Sequence, residues 1–523
     1  MNTIFKKAAA LFALVAVVLA GVVAATPAYA VGTGKLTVTS GDAGFNGAKV
    51  DAWRMFTATK NGSTYTFEVV ESWKGFFTNT AEGYPDITDD EDFNANASDY
   101  VRKLGDANSA EVTNFAKKAA KWAKDHTIVT TQQATAKPSD PNYTATNYTA
   151  TFSNLDFGYY LVKPYASCEK DGSVRGTDAM LINVVDDKAS ITLKNTYPTV
   201  DKKVEDNKGN GAQVGDKVTF TLTSKVPDTS EFDHYTFKLL DTLSQGLTFN
   251  NDDQVKVTVG ATVLAKGTDY TLTAPTVENN NTVTFDLSSY IKPTTGNGPA
   301  AGTEIKVTYT ATLNENAKTD MTNGNTNSAK VEYTNGPNAD DHGTSKPSET
   351  HTYTFGFDLK KVDGDSKALQ GAKFQLQRST DNGSTYNVVK LVAVTADGVT
   401  SYRPAKTDDE ESAVETVTTP ESGIIKFTGL DDGKYKLVET EAPTDYNKAD
   451  PTEFTIHATY KDDGTLGTWS IDNVTDGTMT IVNRKGTLLP STGGMGTVIF
   501  TVAGAAIVIA GVAWTITRRR AQN

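Results

Sequence analysis

The stretch Phe355-Gly356-Phe357-Asp358-Leu359-Lys360-Lys361-Val362-Asp363 fixes the reading of the C-terminal third of the chain. Phe355, Phe357 and Leu359 alternate with Gly356, Asp358 and Lys360. Successive side chains of a strand point to opposite faces, so the apolar side is the core side, and Lys361 rides on it. Two later stretches repeat the pattern. Tyr435, Leu437 and Glu439 share one side, and so do Met479, Ile481 and Asn483. Three strands thus bring one lysine, one carboxylic acid and one asparagine to core-facing positions.

The preceding segment carries a second set. Val200, Lys202 and Val204 lie on one side of a strand. Tyr235, Phe237, Leu239 and Asp241 lie on one side of another, and Asn327, Ala329, Val331 and Tyr333 on one side of a third. Burying an unpaired lysine or carboxylate costs several kcal/mol or neutralises the group. Two arrangements answer that cost. One is a buried ion pair with a hydrogen-bonded asparagine. The other is amide formation. Burial favours a neutral lysine amine and a neutral carboxyl, and the amine attacks Asn Cγ with loss of ammonia. The resulting isopeptide bond would join the first and last strands of each domain. Like a disulfide it would restrict the unfolded chain, but no reductant would open it.

Working outward, the chain divides into 1–30, 31–198, 199–350, 351–487 and 488–523. Residues 1–30 read as a secretory signal: Lys6 and Lys7, an apolar run, and Ala28-Tyr29-Ala30 as the cleavage site, so that the mature chain begins at Val31. In 31–198, Lys35–Thr39, Tyr159–Val162 and Ile191–Leu193 read as strands. Val112, Phe115, Ala116, Ala119, Trp122 and Ala123 recur at helical spacing and predict an inserted amphipathic helix. The acidic run Asp86–Asp92 lacks calcium-loop spacing and reads as a solvated loop. In 199–350, Val218–Leu222, Val255–Val259 and Ile305–Tyr309 alternate strictly. A polar stretch, Asn335–Ser348, reads as the linker to the last domain.

Composition agrees. Thr, Val, Asp, Asn, Gly and Tyr are abundant, as β-sandwiches with exposed polar faces require. A formal net charge of -13 argues against nucleic acid as a partner. The single cysteine, Cys168, excludes an internal disulfide, so any covalent staple must use other chemistry. The five histidines are scattered, none at metal-ligand spacing, and no metal or cofactor is expected. No nucleophile elbow or zinc signature points to an enzyme.

The C-terminus is a second processing signal. Leu489-Pro490-Ser491-Thr492-Gly493 precedes an apolar stretch, Gly496–Thr517, long enough to cross a bilayer, and Arg518, Arg519 and Arg520 follow. The pentapeptide resembles the LPxTG sorting signal of Gram-positive surface proteins. That resemblance implies a sortase that cleaves after Thr492 and passes its carbonyl to an amine.

Tyr435–Tyr446 (YKLVETEAPTDY) resembles the pilin E-box, YxLxETxAPxGY, departing only at Asp445. Lys361–Asp363 with Leu369–Phe374 is similar to the opening of a Cna B-type domain, and Asp241–Phe249 to the middle domain of isopeptide-forming fimbrial proteins. The whole chain resembles a sortase-assembled major pilin of Gram-positive bacteria. The resemblance implies a mainly β fold of three tandem Ig-like sandwiches of Cna B or prealbumin type. It implies isopeptide sets Lys202–Asn327 with Asp241 and Lys361–Asn483 with Glu439. It also implies a covalent homopolymer at the cell surface, with sortase, peptidoglycan, minor pilins and a host receptor as partners. Pilins of this kind usually place the polymerising lysine after Tyr-Pro, but here Tyr197-Pro198 precedes Thr199. Thr199-Val200-Asp201-Lys202-Lys203 fits a Thr-Val-x-x-Lys pattern instead. If Lys202 points inward, Lys203 points outward and can serve; Lys194 is the second candidate. A wall-anchored matrix-binding adhesin and a minor pilin are the competing readings.

Overall fold

The computed structural model describes residues 32–486, apart from 106–108, 140–146, 166, 171–172, 177–178, 194–196, 205–210, 231, 320 and 397, together with Trp514. The fold is mainly β. Within these residues one compact unit runs to Thr354 and takes in Thr459–Gly467, and a second begins at Phe355.

The first unit opens with two sheets. In one, Thr33–Ser40 lies parallel to Ala189–Leu193 and antiparallel to Tyr148–Asp156. The other is built on the long strand Lys49–Asn61, flanked by Gly158–Pro164, Thr64–Val69 and Gln132–Thr135. The expected helix is Ala110–Asp125. Ser109 caps it by accepting a hydrogen bond from the Val112 amide, and Phe115, Ala116, Ala119 and Ala123 are buried. They pack in an aromatic cluster in which the Phe76 and Phe115 rings lie 5.3 Å apart, edge to face. The first strand buries Leu36, Val38 and Ser40 and offers no lysine to the core.

Two six-stranded sheets follow. The first includes Asp201–Val204, Lys217–Lys225 and Glu304–Leu313. The second includes Thr282–Asp286, Phe237–Leu243 and Asn325–Thr334. A continuous apolar core joins this sandwich to the domain before it. At the junction the Tyr333 hydroxyl donates to the Gly44 carbonyl at 3.0 Å, and the Lys49 amide donates to the Asn335 carbonyl at 2.8 Å.

Asn335–Ser348 is not a linker. His342–Thr344 pairs with Glu332–Thr334, and Ser348–Thr352 pairs with Asn325–Ala329. The segment folds back because Asn335 and Asp341 close a turn, with the Asn335 amide donating to the Asp341 carbonyl at 3.0 Å. Its residues alternate weakly because edge pairing, not core burial, holds them. Asn327 therefore sits in a strand that is followed by two more, not in the last strand of its domain.

The second unit packs a sheet containing Ile424–Leu430, Phe355–Asp363 and Thr478–Asn483 against one containing Lys373–Ser379 and Gly433–Glu441. Phe355–Asp363 and Thr478–Asn483 run parallel, so the domain's first and last strands are neighbours.

Candidate functional site

Alternation places both sets as expected: Lys202, Asp241, Asn327, Lys361, Glu439 and Asn483 are all buried. The two sites differ in how the strands bring them together.

In the middle domain the lysine is on one sheet and its partners are on the other. Lys202 pairs across from Leu222, while Asp241 and Asn327 come from adjacent strands of the facing sheet. Lys202 Nζ lies 2.5 Å from Asp241 Oδ2, and both side chains are fully buried. It also lies 4.7 Å from the Phe220 ring centroid. Burial drives the Lys202 pKa below its ordinary value, against the pull of Asp241. A fourth residue, Tyr309, ties the set together. Its hydroxyl donates to Asp241 Oδ2 at 2.5 Å, accepts from Asn327 Nδ2 at 2.7 Å, and lies 3.1 Å from Lys202 Nζ. Rings of Phe220, Phe249 and Phe285 surround it. Among the described residues neither Asp241 Oδ1 nor Asn327 Oδ1 finds a hydrogen-bond donor.

In the C-terminal domain the lysine and asparagine share a sheet. Lys361 sits opposite Ile481 on the parallel partner strand, two residues before Asn483. Its Nζ donates to the Ile481 carbonyl at 3.2 Å. Glu439, from the facing sheet, accepts from Asn483 Nδ2 at 2.6 Å and from the Ala449 amide at 2.7 Å. Burial brings the Lys361 pKa down to about 8, with Glu439 opposing. Asn483 Oδ1 finds no donor among the described residues.

Tyr309 was missed because it alternates with Val307 and Ala311 and so passes for an ordinary core aromatic. The available signal was its hydroxyl, which a core-facing tyrosine must satisfy. A buried polar group in the first domain also escaped notice. Asp51 accepts from Gln133 at 2.8 Å and from the Tyr165 hydroxyl at 2.7 Å, beside buried Lys163. Burial raises the Asp51 pKa.

Lys203 points outward as expected. Its side chain is 72% exposed, and Nζ lies 3.2 Å from the Asp201 carboxylate. Lys194, the signal segment, Leu489–Gly493 and the apolar stretch, Trp514 apart, lie outside the described residues. Among the described residues no helix is long and apolar enough to cross a membrane, and no cluster of acidic, histidine or cysteine side chains is suited to a metal.

Three family models match in order. They are the Gram-positive pilin backbone subunit 2, Cna-B-like domain over 214–337, a prealbumin-like fold domain over 356–475, and the LPXTG cell wall anchor motif over 482–523. The fimbrial subunit type 2 of Actinomyces naeslundii is 30% identical over 358 residues, covering 62% of this chain and 61% of that protein. The chain thus spans less than two thirds of that relative's length. The trypsin-resistant surface T6 protein of Streptococcus pyogenes serotype M6 is 25% identical, covering 62% of this chain and 70% of the relative. Among solved structures, the T6 backbone pilin of Streptococcus pyogenes matches with a TM-score of 0.47 at 16% identity, over 87% of this chain and 99% of that one. A pilin-backbone domain, a prealbumin-like domain and an LPXTG wall-anchor motif thus follow one another in this chain, the domain set of Gram-positive backbone pilins at the cell-wall surface.

Proposed function

We propose that the chain is the repeating subunit of a covalent surface fibre. Sortase joins Thr492 of one copy to Lys203 of the next, and the basal copy is joined to peptidoglycan. The chain is read as three tandem sandwiches, 31–198, 199–354 and 355–487, the second boundary falling after the strand Ser348–Thr352, and the middle and last are each stapled by an isopeptide bond.

The observation that carries the staples is the joint burial of lysine, acid and asparagine at both sites. Each step is an amide exchange. The Lys Nζ lone pair attacks Asn Cγ, the Cγ–Nδ2 bond breaks, and ammonia leaves with a proton from the amine. The carboxyl moves that proton. Each domain carries out one turnover on itself, so the chain is a substrate of its own chemistry and not an enzyme.

Lys203 is favoured as the linking amine by its exposure beside buried Lys202. Tension entering at Lys203 passes to Asn327 through Lys202, and from Lys361 to Asn483, before leaving at Thr492. The first domain lies off that path, docked on the middle domain by their shared core.

Mass spectrometry tests the reading. The mature chain should be lighter than its sequence mass by about 34 Da, one ammonia for each amide formed. An unmodified mass refutes both bonds. Tryptic peptides of the native polymer should link Thr492 to Lys203. A link to Lys194 or elsewhere refutes that assignment.

A further inference from the structure

The two sites meet the same need for reach by different means. In the C-terminal domain Glu439 touches the asparagine nitrogen itself, at 2.6 Å. Asp241 is one methylene shorter. In the middle domain the contact with Asn327 Nδ2 comes from the Tyr309 hydroxyl at 2.7 Å, and that hydroxyl bonds Asp241 at 2.5 Å. The same hydroxyl is 3.1 Å from the attacking amine.

We infer that Tyr309 is a catalytic residue of middle-domain cross-linking, relaying a proton from Asp241 to the departing nitrogen of Asn327. The inference rests on reading Lys202 and Asn327 as an isopeptide pair.

The protons balance as follows. The reaction begins with a neutral Lys202 amine, a proton on Asp241 and the Tyr309 hydroxyl intact. Nζ bonds to Cγ, and the carbonyl electrons move onto Oδ1. The adduct then carries one proton too many on Nζ and one too few on Nδ2. Tyr309 gives its proton to Nδ2 and takes the one on Asp241. The carboxylate takes the surplus proton from Nζ, which lies 2.5 Å from Oδ2. The Cγ–Nδ2 bond breaks and ammonia leaves. Asp241 and Tyr309 finish as they began. Burial pushes the Tyr309 pKa well above its ordinary value, so the hydroxyl keeps a proton to give.

The test uses the full mature chain, recovered unreacted from denaturant and refolded, with both cross-links followed by peptide mass. Tyr309→Phe should slow the Lys202–Asn327 bond about 100-fold, the usual loss when an acid–base group is removed. The Lys361–Asn483 bond, formed in the same molecules, should keep its rate and report that the chain has folded. Adding Asp241→Glu to Tyr309→Phe should recover most of the loss, because the longer acid reaches Nδ2 directly. A purely structural tyrosine would not be rescued in this way. A Tyr309→Phe rate close to wild type overturns the inference, as does a folded variant that the longer acid cannot rescue. Should Tyr309→Phe not fold, the wild-type rate in mixed light and heavy water decides. A curved dependence on deuterium content is expected for two protons in flight, and a linear one overturns the relay. Absence of the bond in wild type is a separate failure, that of the cross-link itself.

Discussion

Asn327→Ala removes the middle-domain staple while leaving Lys202 paired with Asp241, so no buried charge is stranded. The loop closed by Lys202–Asn327 spans roughly 125 residues, and closing it in the unfolded chain is worth about 4.9 kcal/mol. The continuous core shared with the first domain makes the two domains one unfolding block of roughly 320 residues. Such a block unfolds with an entropy of about 0.67 kcal/mol per kelvin, so about 4.9 kcal/mol becomes a fall in Tm of about 7 °C. Calorimetry of the mature chain should show this shift in one transition, while that of the C-terminal domain stays in place. Mass must confirm the bond in wild type and its absence in the variant. A fall of less than about 3 °C under those conditions refutes the loop-closure reasoning.

Three more tests follow from the same geometry. The Lys361 pKa of about 8 means that the reactive amine becomes scarcer by tenfold for each pH unit below it. Refolding the unreacted chain at graded pH should show Lys361–Asn483 formation slowing accordingly; a rate flat from pH 6 to 8 counts against attack by a neutral amine. Lys203→Arg keeps the charge but not the nucleophile, and should abolish the ladder of polymers on a denaturing gel while leaving both internal bonds intact. Undiminished polymer shifts the link to another lysine. Pulling a subunit from Lys203 to Thr492 should release only the chain between Asn327 and Lys361, about 110 Å for roughly 33 residues. Releases several times longer would mean that the staples do not carry the load.

Where one face of a strand meets the core and the other meets water, the sequence was readable. Phe355–Lys361, Phe237–Asp241 and Asn327–Tyr333 alternate cleanly, and their buried residues are the ones alternation selects. Asp51 escaped because Val50, Asp51, Ala52 and Trp53 are buried in succession, which erases the period. His342–Thr344 escaped for the opposite reason, since it is itself an edge strand and none of its residues is buried. Tyr309 presents both characters in one side chain, an apolar ring to any pattern count and a polar hydroxyl to the site. Nor could alternation show which sheet each partner occupies. The lysine–asparagine pair across two sheets and the pair within one carry the same residue types, and only the strand order separates them.

With Lys202 and Lys203 in the roles proposed for them, their adjacency would make the register of one short strand a checkpoint on assembly. A slip of one residue in Asp201–Val204 would turn every side chain to the opposite face. Lys202 would then face water, and Lys203, the proposed linking amine, would be shut in the core. A subunit that failed in this way could not close its own bond and would also be a poor acceptor. Once the Lys202–Asn327 bond has formed, the slip is no longer possible. Internal closure would thus certify a subunit before it is added, and a growing fibre would incorporate mainly copies whose first strand had found its proper place.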